Sequence, residues 1–161
     1  MRTRIGLKTA ALILPFLAAS AFAADPVVHK AEAGTSKTEA MAKGQDLYTK
    51  NCSACHQPTG AGLPGAFPPL AKSDYLVKTD RKKLIAGVIN GLQGEIVVNG
   101  QKFNSVMPNL AYLKDDEVAN ILTYVFNTWG NPGGTFSAAE IGAVRNPPAK
   151  KGAAAAAAPK A

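Results

Sequence analysis

Cys52-Ser53-Ala54-Cys55-His56 places two thiols and an imidazole within five residues. On a helix, positions i, i+3 and i+4 share one face, so all three groups can meet one planar ligand. C-x-x-C-H is the attachment pattern of c-type haem, in which the sulfurs form thioethers with the vinyl groups and the histidine coordinates iron. Three other readings of the same residues are weaker. A Cys52–Cys55 disulfide leaves His56 without a role. A thioredoxin-like pair belongs in a βαβ context, and the chain shows no such pattern. Zinc needs a fourth ligand, and the one other histidine, His29, falls in a polar leader.

A haem held by His56 has a second axial position, for which Met41, Met107, His29 or an open site are the candidates. Met107-Pro108 lies in a loop before the strongest helical pattern, where backbone can approach the open haem face. Met41 sits on the first helix, on the attachment side of the sequence. Methionine is more commonly a core filler, but a haem lacking a sixth ligand favours Met107.

Three helices and a hairpin must position these groups. Glu39 to about Cys55 carries Met41, Gly44, Leu47 and Tyr48 at helical spacing. Asp80 to Asn90 puts Leu84, Ile85, Val88 and Ile89 on one face, with Gly91 as terminator. Asp115 to Trp129 has an apolar stripe of Val118, Ile121, Leu122, Val125, Phe126 and Trp129, with Asp115, Asp116 and Glu117 in its first turn. Ser137-Ala138-Ala139-Glu140 reads as a capping box opening a short fourth helix to about Arg145, with Phe136 and Ile141 as its hydrophobic staple. Glu95 to Phe103 alternates around Asn99-Gly100, a two-residue hairpin signal. The class is mostly α, and the core is small enough to want a prosthetic group at its centre.

The ends read differently. Residues 1–23 have a basic start, an apolar centre interrupted by Pro15, and Ala21-Phe22-Ala23 before the expected cleavage, the pattern of a secretory signal peptide. The run is shorter than the roughly 20 apolar residues a membrane span requires. Residues 24–38 read as a flexible leader, 39–146 as the folded domain, and 147–161 as a disordered Ala/Lys/Pro tail. A net charge of +7 over 161 residues suggests a polyanion partner. Removing residues 1–23 lowers it to +4, and residues 39–146 carry ten Lys/Arg against nine Asp/Glu. With aromatic content at 7%, a nucleic-acid partner is not expected.

The sequence resembles the class I cytochromes c, with Cys52-Ser53-Ala54-Cys55-His56 on the first helix and Met107-Pro108 before the last main helix. Gly44 and Tyr48 stand where that family's first helix crosses its last, with Tyr124 in the partner's place. Phe67-Pro68-Pro69-Leu70 stands where the family has a proline whose carbonyl accepts the haem histidine's other N–H, which implies Pro68, and Leu70 would pack on the haem. The likeness extends most fully, over about residues 44–145, to the haem c domain appended to some copper-containing nitrite reductases, and quinoprotein dehydrogenases carry related subunits. Two departures stand out: no cupredoxin portion is present, and Lys114 occupies a cap position where relatives often have Ser or Thr.

The resemblance implies the class I cytochrome c fold around one haem c, covalent through Cys52 and Cys55, with His56 and Met107 on the iron. His/Met ligation raises the potential and fills both axial positions. The expected function is a periplasmic, soluble electron-transfer protein rather than an enzyme, monomeric or transiently bound to a copper nitrite reductase, dehydrogenase or terminal oxidase. The alternatives are a fixed haem subunit of a larger oxidoreductase, or a haem enzyme or gas sensor whose Met107 dissociates. Lys72, Lys78 and Arg81-Lys82-Lys83 form a basic run that could steer an acidic partner. Tyr75, Arg81, Asn109 and Trp129 are candidates for holding the haem propionates.

Overall fold

Ser36 starts the first helix by accepting the Glu39 N–H on its hydroxyl. The computed structural model describes residues 36–147. Its elements are α1 (Lys37–Asn51), α2 (Ser53–His56), α3 (Asp74–Lys78), α4 (Arg81–Asn90), β1 (Ile96–Val98), β2 (Gln101–Phe103), α5 (Asp115–Phe126) and α6 (Ala138–Arg145). The mostly helical expectation holds, with one antiparallel pair. The expected signal peptide, most of the expected leader and nearly all of the expected tail lie outside the described residues.

Three boundaries differ from expectation, and one helix is added. The first helix begins at Lys37 rather than Glu39, because Ser36 is the better cap. It stops at Asn51 rather than Cys55: Cys52 takes φ −123°, and the Cys-x-x-Cys-His residues form a separate short turn. The last main helix ends at Phe126, not Trp129. There the Asn127 amide donates to the carbonyls of Thr123 and Gly134, and Trp129 turns left-handed at φ 53°. Asp74–Lys78, where no helix was expected, forms a short one.

α1 and α5 cross at Gly44. A Cβ on Gly44 would lie 2.2 Å from the Asn120 carbonyl oxygen, so the glycine permits backbone contact. Tyr48 and Tyr124 pack at the crossing with ring centroids 5.6 Å apart. The stripe on α5 understates its burial. Every residue from Val118 to Phe126 is buried, including Asn120 and Thr123. Thr123 is accommodated because its hydroxyl accepts the Phe136 N–H at 3.0 Å.

The fourth helix is capped by Ser137, which accepts the Glu140 N–H at 3.2 Å. The expected capping box is only half formed, since the Glu140 carboxylate instead takes Arg81 from the start of α4. The staple residues Phe136 and Ile141 are both in the core. At α5, Lys114 gives no side-chain cap, but its N–H donates to the Glu117 carboxylate at 2.8 Å. Arg145 ties α6 to the α5 entry through Asp115 (2.7 Å) and the carbonyls of Ala111 and Leu113.

The hairpin turns at Asn99-Gly100, both at positive φ (49° and 79°), as the sequence suggested. It is docked rather than free. The Asp74 N–H donates to the Asn99 side chain at 3.0 Å, and the Asn99 N–H returns a bond to the Asp74 carboxylate at 2.6 Å. Lys78, and then the Asn99 N–H, hold the Asp74 carboxyl below its usual range. Val98 and Phe103 point inward.

Candidate haem site

The break at Cys52 builds the attachment turn. The Cys52 carbonyl accepts the N–H groups of Cys55 (3.2 Å) and His56 (2.9 Å), while its own N–H closes α1 onto Tyr48. Cys52, Cys55 and His56 line one apolar cleft enclosing about 1170 Å³ with its open mouth. Its walls come from the attachment turn, the 67–70 segment, α3, α4 with the hairpin, the Met107 segment, and the inner face of α5 through Ile121, Leu122 and Val125.

His56 is oriented by the expected partner. Its Nδ1 lies 2.9 Å from the Pro68 carbonyl oxygen. A carbonyl can only accept, so Nδ1 carries the proton and Nε2 keeps its lone pair, the tautomer a metal-ligating imidazole requires. Burial holds the imidazole below its ordinary pKa, against a smaller upward pull from the Pro68 bond. Burial, with Cys55 nearby, also pushes the Cys52 thiol up to about 12. That setting disfavours a thiolate and suits a neutral thioether.

The segment bearing Pro68 and Leu70 is pinned at both ends. The Gly60 carbonyl accepts the N–H groups of Leu70 (2.8 Å) and Ala71 (2.9 Å). Asn131 donates to the carbonyls of Leu70 (2.9 Å) and Val125 (2.8 Å), and its side-chain oxygen receives the Ser73 N–H at 3.4 Å. One amide thus ties the proline segment to α5, a role sequence reasoning missed. Asn131→Ala is expected to lower stability by about 1–3 kcal/mol through the carbonyls left unpaired. Thermal unfolding would read this; an unchanged midpoint would remove Asn131 from that role.

Another wall carries Met107. Its N–H and carbonyl pair with Leu92 at 2.9 and 3.1 Å. Gly91 makes this possible: at φ 79°, a Cβ there would stand 2.5 Å from the Met107 carbonyl oxygen. Met107 lines the cleft together with His56, Pro68 and Leu70. Met41 does not line it and packs on the core from α1. His29 lies outside the described residues.

Of the propionate candidates, Tyr75 lines the cleft, while Asn109 and Trp129 do not. Trp129 packs instead against Tyr48 and Tyr124, with centroids 5.1 and 5.4 Å away. Arg81 is engaged by Glu140 and the Thr135 carbonyl, and lies 3.5 Å over the Phe136 ring. Lys83, which was read only as part of a basic run, lines the cleft.

An apolar slot with two thiols and an oriented imidazole at one side, and a thioether side chain also facing it, fits a covalently attached haem. Known proteins agree. Residues 41–129 match the cytochrome c family. Cytochrome c-552 of Thermus thermophilus is 45% identical over 95 residues, which cover 57% of this chain and 64% of that protein. The cytochrome c subunit of alcohol dehydrogenase (quinone) from Gluconacetobacter polyoxogenes is 29% identical over 114 residues, 69% of this chain and 24% of that subunit. The Cbb3-type cytochrome c oxidase subunit CcoP of Azospirillum sp. (strain B510) is 33% identical over 97 residues, 56% of this chain and 29% of that subunit. The chain therefore spans a little under two thirds of the first relative and about a quarter of the two subunits. With its family match covering more than half its length and its cysteine pair in haem-attaching spacing, the chain belongs to the cytochrome c family, whose cofactor is covalent haem c.

Proposed function

We propose that the protein is a periplasmic monohaem cytochrome that passes single electrons between redox partners, with His56 and Met107 as the two axial ligands. The observation that carries this reading is that His56, with its Nδ1 against the Pro68 carbonyl, and Met107 line one cleft. Haem supplies the redox centre when bound. Cys52 and Cys55 would hold it, Pro68 would orient its histidine, Leu70 and the α5 face would exclude water, and His56 with Met107 would leave no room for substrate at the iron. Among the described residues, no carboxylate lines the cleft. No described helix is long and apolar enough to cross a membrane.

A second reading, a fixed haem subunit of a larger oxidoreductase, is favoured by the relatives that are subunits of a dehydrogenase and an oxidase. Partners of dehydrogenase or oxidase type follow from either reading; a copper nitrite reductase is the partner that the sequence resemblance suggests. Spectra of the exported protein test the ligand set: a covalent c-type haem with the methionine–ferric charge-transfer band is expected. Its absence, or carbon monoxide binding by the reduced form, would overturn Met107 as ligand in favour of the sensor or enzyme reading. Size in native extract separates carrier from subunit.

Docking would use the basic run. Lys72 and Lys82 are exposed, and Lys82 sits in the first turn of α4, where a cation opposes the helix dipole by about 0.3–1 kcal/mol. Lys72→Gln with Lys82→Gln is expected to slow reduction of an anionic complex such as hexacyanoferrate roughly twofold at low salt and to flatten the salt dependence. Unchanged rates at every ionic strength would end the docking idea.

A further inference from the structure

The haem cleft is almost wholly apolar, yet haem c carries two propionate carboxylates that must meet water or a cation. Lys83 is the one cation among the described residues lining the cleft. Tyr75 and the hydroxyl groups of Ser73 and Ser105 complete its non-histidine polar groups, and Ser105 already donates to the Ala66 carbonyl. Lys83 has no carboxylate within ion-pair distance among the described residues, whereas Lys78 pairs with Asp74 and Lys102 with Glu95. Its position is also unfavourable for the helix, one turn from the positive end of α4, where Asp80 caps the Lys82 and Lys83 N–H groups. An exposed lysine at the rim can lay its stem on an apolar wall and keep its ammonium at the mouth.

We propose that Lys83 is the cation that pairs with a haem propionate, while its neighbour Lys82 faces solvent. The inference rests on the haem reading above. Arg81, the sequence-level candidate, cannot serve in the same way, because Glu140 already holds its guanidinium. The charged and titratable groups facing the site are few. They are Cys52, Cys55 and His56 from the attachment turn, the last bonded to Pro68, Tyr75 from α3, and Lys83 from α4, while Asp80 and Lys82 adjoin Lys83 without lining the cleft. The hairpin offers only Gly94, Ile96, Val98, Phe103 and Ser105, and α5 only apolar side chains.

A paired ammonium keeps a carboxyl ionised to lower pH. The midpoint potential of the haem-loaded protein should therefore be measured against pH for the wild type, Lys83→Gln, Lys83→Arg and Lys82→Gln. In Lys83→Gln the acidic inflection is expected to move up by about one pH unit, with the visible spectrum and thermal midpoint unchanged. Lys83→Arg should restore it, and Lys82→Gln should leave it in place. An inflection that stays put in Lys83→Gln, or moves as far in Lys82→Gln, overturns the pairing while leaving the haem assignment intact. A wild-type protein without a covalent haem spectrum overturns both.

Discussion

Met107→Ala is expected to abolish the methionine–ferric charge-transfer band and to lower the midpoint potential by on the order of a hundred millivolts or more. Axial ligands shift haem potentials over roughly 0.8 V, and loss of a neutral thioether removes a ligand that favours the reduced state. Alanine keeps the N–H and carbonyl that pair with Leu92, so the loop should stay in place and the cleft should remain formed. The reduced variant should then bind carbon monoxide, which the wild type should exclude. Met41→Ala serves as the comparison, because Met41 packs on the core away from the cleft. A variant at Met107 that kept the band and the potential would transfer the ligand role elsewhere.

Gly44→Ala is expected to destabilise the protein by about 3 kcal/mol, although intrinsic propensity alone would stabilise a helix by about 1 kcal/mol. The new methyl would stand 2.2 Å from the Asn120 carbonyl oxygen and 2.7 Å from the Tyr124 Cβ. Neither neighbour is the end of a flexible chain, so α1 and α5 must separate. For a domain of this size the thermal midpoint should fall by roughly 12 °C or more. Gly65→Ala, at a glycine with nothing within 4 Å of its added carbon, supplies the contrast between a clash and backbone strain alone. A stabilised Gly44→Ala would refute the backbone contact at the crossing.

These two sites were readable from the chain for different reasons. The Cys52–His56 run is local, and its chemistry follows from spacing. Met107 followed from its loop position and a haem wanting a sixth ligand, whereas the roles of Gly44, Tyr48 and Pro68 came from family resemblance, and the structure gives the crossing and the Pro68 bond their geometry. What sequence could not show depends on partners far along the chain. The helix stopping at Asn51 reflects the Cys52 backbone turning away, which neither cysteine propensity nor periodicity encodes. α5 stops short of Trp129 because the Asn127 side chain at its end takes the Thr123 carbonyl and bridges to the Gly134 carbonyl seven residues on. Glu140 looked like half of a capping box, yet a charge-assisted pair with Arg81, 59 residues away, wins it. Asn131 carries no apolar pattern at all, and its importance lies only in three backbone groups it happens to join.

The pairing of Leu92 with Met107 has a kinetic side. Two backbone bonds, each worth about 0.5–1.5 kcal/mol net, join Met107 to Leu92 just past α4, and the Leu110 N–H reaches back to the Val88 and Ile89 carbonyls. The amides of Leu92 and Met107 should exchange with solvent deuterium together, faster than those of Tyr124 or Val125. That outcome would mark the methionine wall as a unit able to open while the attachment side stays closed.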